Sequence, residues 1–171
     1  MNSTHRAYTL ALYPFTRGFA FVLFEGPSSP IDWGVKELRG GEKNAITLQA
    51  VARLVDRYAP ETIVIEDMKD TESRRHLRIR ALYRLIAILA RSRGIDVARY
   101  RHADVLKTFA SVGARTKYEI AQAIAEQIPA FSIRLPRKRK IWMTEDPRQS
   151  LFDAAALGIT HFSRTSSDPG Q

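Results

Sequence analysis

Glu66 and Asp67 are adjacent carboxylates at the end of the apolar run Thr62-Ile63-Val64-Ile65. A third acid, Asp153, is embedded among Phe152, Ala154, Ala155, Ala156 and Leu157. Carboxylates brought together from distant parts of a chain are what a hard divalent cation requires, because such ions take oxygen ligands. The same ions activate water and stabilise a leaving oxygen in phosphodiester hydrolysis. Each acid also has a bland reading. Glu66 and Asp67 fit a strand that leaves the core with two solvated groups. Asp153, buried, needs an arginine, a backbone donor or a metal as partner. Which reading holds depends on the elements that carry these residues.

Other chemistries are poorly supported. There is no cysteine, which removes disulfides, thiolate catalysis and cysteine zinc sites together. His76, His102 and His161 do not pair with one another at metal-ligand spacing, and His161 fits capping or packing near a helix end. No Gly-x-Ser-x-Gly elbow or phosphate-binding glycine-rich loop is present. The charge balance is informative: 27 Lys+Arg against 18 Asp+Glu give net +9 in 171 residues. An anionic partner follows, with nucleic acid ahead of a membrane surface. Two basic clusters stand out, Arg74, Arg75, Arg78, Arg80 and Arg84 after the Glu66 run, and Arg134, Arg137, Lys138, Arg139 and Lys140 before the Asp153 run. Any one of these side chains reads as a solvated face, whereas the clusters together argue for phosphate contacts. Trp142 and Phe15 are candidates for stacking on bases. No signal peptide or membrane span is expected, and the default location is cytoplasmic.

The elements follow from periodicity and turn signals. Residues 7–13, 18–24 and 31–38 read as three strands joined by the turns at 14–18 and 26–30, an antiparallel meander. Apolar residues at helical spacing mark 43–58, ended by Ala59-Pro60. The run at 62–66 is a strand buried on both faces, as in a parallel sheet. A long basic helix at 73–93 is closed by Gly94, and a fifth strand covers 95–100. Helices are expected at 103–110, at 116–128 with Thr116 as N-cap, and at 147–162 after Asp146-Pro147. Residues 134–140 form a basic loop. The order β-β-β-α-β-α-β-α-α-α gives an α/β fold. Its mixed five-stranded sheet combines the meander with two parallel strands, the first strand beside the Ile63 strand, and helices flank it. Residues 1–162 make one domain, and 163–171 are expected to be a disordered tail. Ligands of open α/β sheets collect at the carboxyl ends of the strands, where Glu66 falls.

This arrangement resembles the RuvC-like Holliday junction resolvases of the RNase H-like superfamily, over nearly the whole chain. The resemblance rests on Tyr13-Pro14-Phe15-Thr16-Arg17-Gly18, Val64-Ile65-Glu66, Val112-Gly113-Ala114-Arg115-Thr116-Lys117 and, most specifically, Phe152-Asp153-Ala154-Ala155-Ala156-Leu157-Gly158-Ile159-Thr160-His161. It implies an Mg²⁺- or Mn²⁺-dependent, structure-selective endonuclease acting on branched or double-stranded DNA as a homodimer. In that family four carboxylates hold two metals. Glu66 takes the fourth-strand position and Asp153 one of two helical positions, with Lys117 as a basic catalytic neighbour. Tyr13 and Ser150 stand where the other two acids belong, so the acidic site is degenerate. Asp67, Glu145 and Asp146 are the residues that could supply the missing oxygens. Arg74, Arg75, Arg78, Lys107, Arg115, Lys117, Arg137, Lys138, Arg139 and Lys140 are the candidate nucleic-acid contacts, Lys107 one residue out of register. A catalytically inactive DNA- or RNA-binding module is the alternative implied by the same pattern, and a dimeric scaffold ranks below it.

Overall fold

The computed structural model describes residues 6–69, 74–138, 140 and 146–167, with only the backbone of 74–76. Five strands form one sheet: β1 (Thr9–Phe15), β2 (Gly18–Gly26), β3 (Ser29–Glu37), β4 (Thr62–Glu66) and β5 (Asp96–Tyr100). The helices are α1 (Lys43–Tyr58), α2 (Arg74–Ser92), α3 (His102–Ala110), α4 (Lys117–Gln127) and α5 (Arg148–Ser166), with a 3-10 helix at Pro129–Arg134. The strand order is β3-β2-β1-β4-β5. β1, β2 and β3 pair antiparallel, and β4 is parallel to both β1 and β5. The expected meander plus two parallel strands is therefore present, with β1 central.

β1 alternates between two cores, as the period of a strand requires. Leu10 and Leu12 point into the core beneath α1 and α2, with Ile63, Ile65, Leu82 and Ile86. Ala11 points into the other, with Val64, Phe131, Phe152 and Ala155. This second face is built from small residues (Ala11, Ala20, Ala154, Ala155), which let α5 lie close on the sheet. Gly158 marks the closest approach: a Cβ there would stand 2.3 Å from Cε2 of the buried Phe24. Pro14 is tolerated inside β1 because the pairing with β4 covers only Thr9 to Ala11.

Three features position the site. Pairing of β4 with β5 reaches Glu66↔Tyr100 and is extended by the Asp67 amide, which donates to the Tyr100 carbonyl at 2.8 Å. Thr116 caps α4 with a reciprocal bond to Glu119, which fixes Lys117 at the first helical position. Asp146 accepts from the Arg148 amide at 2.9 Å and so terminates α5, whose N-cap is Pro147. The long basic helix ends as expected, with Gly94 at φ +66° and the Ile95 amide donating to the Ala90 carbonyl at 2.9 Å.

Several boundaries differ from the sequence expectation: β1 runs on through Pro14 and Phe15 and β3 starts at Ser29, both within the expected turns. The 134–140 loop is preceded by the 3-10 helix, which buries Phe131 against Trp33 and Phe152. α5 continues to Ser166 instead of stopping at 162. Thr165 and Ser167 hydroxyls donate to carbonyls four residues back, and Arg164 pairs with Asp104 of α3 at 2.6 Å. The Arg164–Asp104 pair ties this polar Ser/Thr segment to α3, while its hydroxyls back-bond to helix carbonyls.

Candidate functional site

Glu66 and Asp153 meet. With Tyr13, His102 and Lys117 they line a cavity of about 40 Å³ at the carboxyl end of the sheet, floored by Val105, Ile120, Ala156 and Leu157. Strand β4 delivers Glu66 on the same face as Val64, and α5 delivers Asp153 through the close packing of its alanines. The Lys117 ammonium lies 3.5 Å from Asp153 Oδ2. Gln149, one turn earlier on α5, donates its amide nitrogen to Asp153 Oδ1 at 3.3 Å. Burial raises the Glu66 pKa, the Asp153 charge adds to the rise, and Lys117 opposes it.

Tyr83 approaches the end of β4 from the opposite face. Its buried hydroxyl has no hydrogen-bond partner of ordinary length among the described residues. Burial, followed by the Glu66 charge, raises its pKa well above 10, while the Glu66 backbone acts weakly in the opposite sense.

The remaining acids are placed elsewhere. Asp67 turns toward Arg101, 3.9 Å away, and accepts from the Lys69 amide. Asp146 is chelated by Arg148 at 2.7 and 3.0 Å, which lowers its pKa. It lines a separate cavity of about 200 Å³ with Phe15, Ser150 and Tyr13. Tyr13 therefore borders both cavities and stands between the acid pair and Ser150. Glu145, Arg139 and Trp142, and the side chains of Arg74, Arg75 and His76, lie outside the described residues.

A pair of divalent cations about 3.5–4 Å apart needs several shared carboxylates. Among the described residues no group of three or more His, Asp or Glu could hold a metal ion. One of the two acids at the cavity already faces an ammonium. This donor set does not fit two metals. It would suit at most a single Mg²⁺ or Mn²⁺ held by Glu66 and Asp153, the remaining positions filled by water.

The basic residues divide by role. Arg78 is half-buried and ties α2 to the β1–β2 turn, donating to Asn44 Oδ1 at 2.9 Å and to the Phe15 carbonyl at 3.2 Å. Arg80 donates to the Met68 carbonyl at 2.7 Å and so holds the segment that follows Glu66. Lys107, Arg115, Arg137, Lys138 and Lys140 are exposed. Lys117, Arg137 and Lys138 share one cleft beside the acid pair. His161 bonds through Nδ1 to the Tyr100 hydroxyl at 2.9 Å, and burial lowers its pKa. It packs, and it does not line the cavity.

Sequence reasoning passed over two residues. His102 reaches the cavity because α3 starts two residues after β5, a position that spacing between histidines does not reveal. Gln149 was signalled by its place four residues before Asp153, on the same helix face.

The sheet order, the crossing of α5 over the central strands and the acid at the end of β4 define an RNase H-like fold of the RuvC type. Solved structures agree. T. thermophilus RuvC in complex with a Holliday junction substrate superposes with a TM-score of 0.68 at 15% identity, over 94% of this chain and 97% of that one. A second Thermus thermophilus RuvC structure gives 0.66 at 16% identity, over 93% and 96%. The fowlpox virus Holliday junction resolvase gives 0.57 at 14% identity, over 92% and 99%. No family model and no curated protein sequence matches the chain. At these identities the likeness concerns the fold.

Proposed function

We propose that this protein binds nucleic acid, with branched or double-stranded DNA as the partner, at the carboxyl end of its sheet. The observation that carries this reading is the grouping of Lys117, Arg137 and Lys138 in a cleft beside the half-buried pair Glu66 and Asp153. Phosphate charge would be met by these cations and by the net charge of +9. The solved relatives named for Holliday junction substrates support the choice of branched DNA, as an analogy of fold. Leu77, Leu85 and Ile88, exposed on α2, supply an apolar face in keeping with a homodimer.

Two readings of the chemistry remain. In the first, Glu66 and Asp153 hold one Mg²⁺ or Mn²⁺ and the protein is an endonuclease, with Lys117 next to the reacting phosphate. In the second it binds the junction without cutting. The Lys117–Asp153 ion pair and the small cavity bordered by Tyr13 favour the second.

The test is incubation of a labelled four-way junction with Mg²⁺ or Mn²⁺, beside Glu66→Gln and Asp153→Asn. Binding that weakens steeply with salt, without incision, supports the non-cutting reading. Incision lost in both variants selects the endonuclease. Failure to bind any nucleic acid at low salt would refute the function and leave the dimeric scaffold.

A further inference from the structure

The cleft that holds Lys117, Arg137 and Lys138 has a volume of about 460 Å³. That is separate from the 40 Å³ acid cavity and within the roughly 300–1,000 Å³ typical of small-molecule sites. Its walls are of three kinds. The half-buried Tyr118 at the start of α4 presents an aromatic ring, and the buried Pro136, in the loop after the 3-10 helix, lines the cleft as an apolar wall. Arg137 and Lys138 present exposed cations that form no salt bridge among the described residues. Gln149, a residue only 7% exposed, contributes its side-chain amide.

The neighbouring acids offset this charge only in part, Glu119 being lowered in pKa mainly by backbone amides and last by Lys138. Glu119 spends its carboxylate on the Arg115 and Thr116 amides at 2.8 and 3.0 Å. Asp146, on the rim, is chelated by Arg148. The orientation of the Gln149 amide is also fixed. A carboxylate only accepts, so the nitrogen must face Asp153, and the carbonyl oxygen accepts no hydrogen bond among the described residues. A ligand with a planar ring, an N–H donor and an anionic group matches all three walls. A base stacked in a duplex offers only its edge to such a cleft, whereas an unpaired one offers both faces.

We propose that this cleft receives a single unpaired nucleotide, its base stacked on Tyr118 and its phosphate against Arg137 and Lys138. The Gln149 carbonyl accepts from an N–H donor on the edge of the base. The inference rests on the DNA-binding reading and sharpens it: the feature recognised is a nucleotide released from pairing. Gln149 also links the cleft to Asp153, so an occupied cleft sits one hydrogen bond from the acid pair.

The experiment compares binding of the full chain to a continuous duplex and to the same duplex carrying one bulged 2-aminopurine, by anisotropy and 2-aminopurine fluorescence. In parallel, saturation-transfer NMR follows dAMP and deoxyadenosine alone. The expected result is about tenfold tighter binding of the bulged duplex, with altered 2-aminopurine emission. Tyr118→Ala removes that preference while changing continuous-duplex affinity by less than twofold. Arg137→Ala, an exposed change, removes the advantage of dAMP over deoxyadenosine. Equal affinity for both duplexes, or a Tyr118→Ala variant that weakens both alike, overturns the proposal even where DNA binding is strong. Binding of dAMP that is lost in Tyr118→Ala, without any binding of DNA, keeps the cleft and discards the DNA reading. Binding of neither overturns both.

Discussion

Replacing Gly158 by alanine sets two effects against each other. Helix propensity favours the substitution, because alanine inside a helix is about 0.8–1 kcal/mol better than glycine. Packing opposes it. The new Cβ would lie 2.3 Å from Cε2, 2.9 Å from Cδ2 and 3.1 Å from Cζ of Phe24. Carbon atoms in contact settle at about 3.5–4.0 Å, so the ring or the helix must retreat by about 1.2 Å. Phe24 cannot swing into solvent: it is fully buried and held edge-to-face by Phe162, with centroids 5.7 Å apart. Overpacking of this kind costs about 1–3 kcal/mol or more, and a backbone shift would carry Asp153, on the same helix, away from Glu66. The expected net loss is about 1–2 kcal/mol, a fall in Tm of about 2–8 °C for a chain of this size. Urea unfolding would show it as a lower midpoint with an unchanged slope. In a Phe24→Leu background the cost should shrink, giving a coupling energy of about 1 kcal/mol. A midpoint that rises in the Gly158→Ala protein would refute the argument, since propensity alone would then govern the site.

Further expectations concern charge and anchoring. The Glu66 pKa is raised above its ordinary 4.5, so the native state holds that proton more tightly than the unfolded chain. The resulting stabilisation is present at acid pH and is lost as pH rises from 4.5 through the folded value. Glu66→Gln should therefore be more stable than the native chain at pH 7 and equal to it below 4.5, as read by thermal melts across pH. Lys117 opposes the rise, so Lys117→Met should push the Glu66 pKa higher still in a ¹³C carboxyl titration; a fall would contradict the placement of the ammonium. Arg78→Ala removes bonds to Asn44 and to the Phe15 carbonyl; a loss of about 1.5–3 kcal/mol is expected for such charged hydrogen bonds. Amide exchange at Thr16 and Arg17 should quicken while β4 stays protected. Tyr13→Asp combined with Ser150→Asp should raise Mn²⁺ affinity above that of the native chain, measured by electron paramagnetic resonance.

The fold was legible where local signals agreed with each other. Strand β4 and helix α1 begin and end at the expected residues, because Thr62 to Ile65 is an uninterrupted β-favouring run and Ala59-Pro60 is an unambiguous stop. Gly94 closes α2 as its position suggested. The meeting of Glu66 and Asp153 was also legible, since both sit in apolar runs that must face the sheet. What stayed hidden depends on partners distant in sequence. Nothing local distinguishes Arg78 and Arg80, which hold backbone carbonyls, from Arg84, which is exposed. Nor does the sequence reveal that Asp67 turns to Arg101 while its neighbour Glu66 turns to the cavity. The 3-10 helix was missed because its reason for forming is the burial of Phe131, a tertiary contact.

The central place of β1 has a consequence for how the chain comes off the ribosome. Its parallel partner β4 begins some fifty residues after it, and at about 5–20 residues per second that interval lasts a few seconds. Throughout it, β1, β2 and β3 can already zip into a meander whose β1 side is a bare hydrogen-bonding edge carrying Leu10 and Leu12. An unpaired apolar edge is a template for the wrong strand. The parallel ladder from Thr9 to Ala11 is only three residues long, so closing it late is inexpensive in register search but leaves little to hold until α1 and α5 cover the two faces. A chain in which residues up to 37 have emerged but β4 has not is therefore the species most exposed to aggregation, and the one a holding chaperone would be expected to bind.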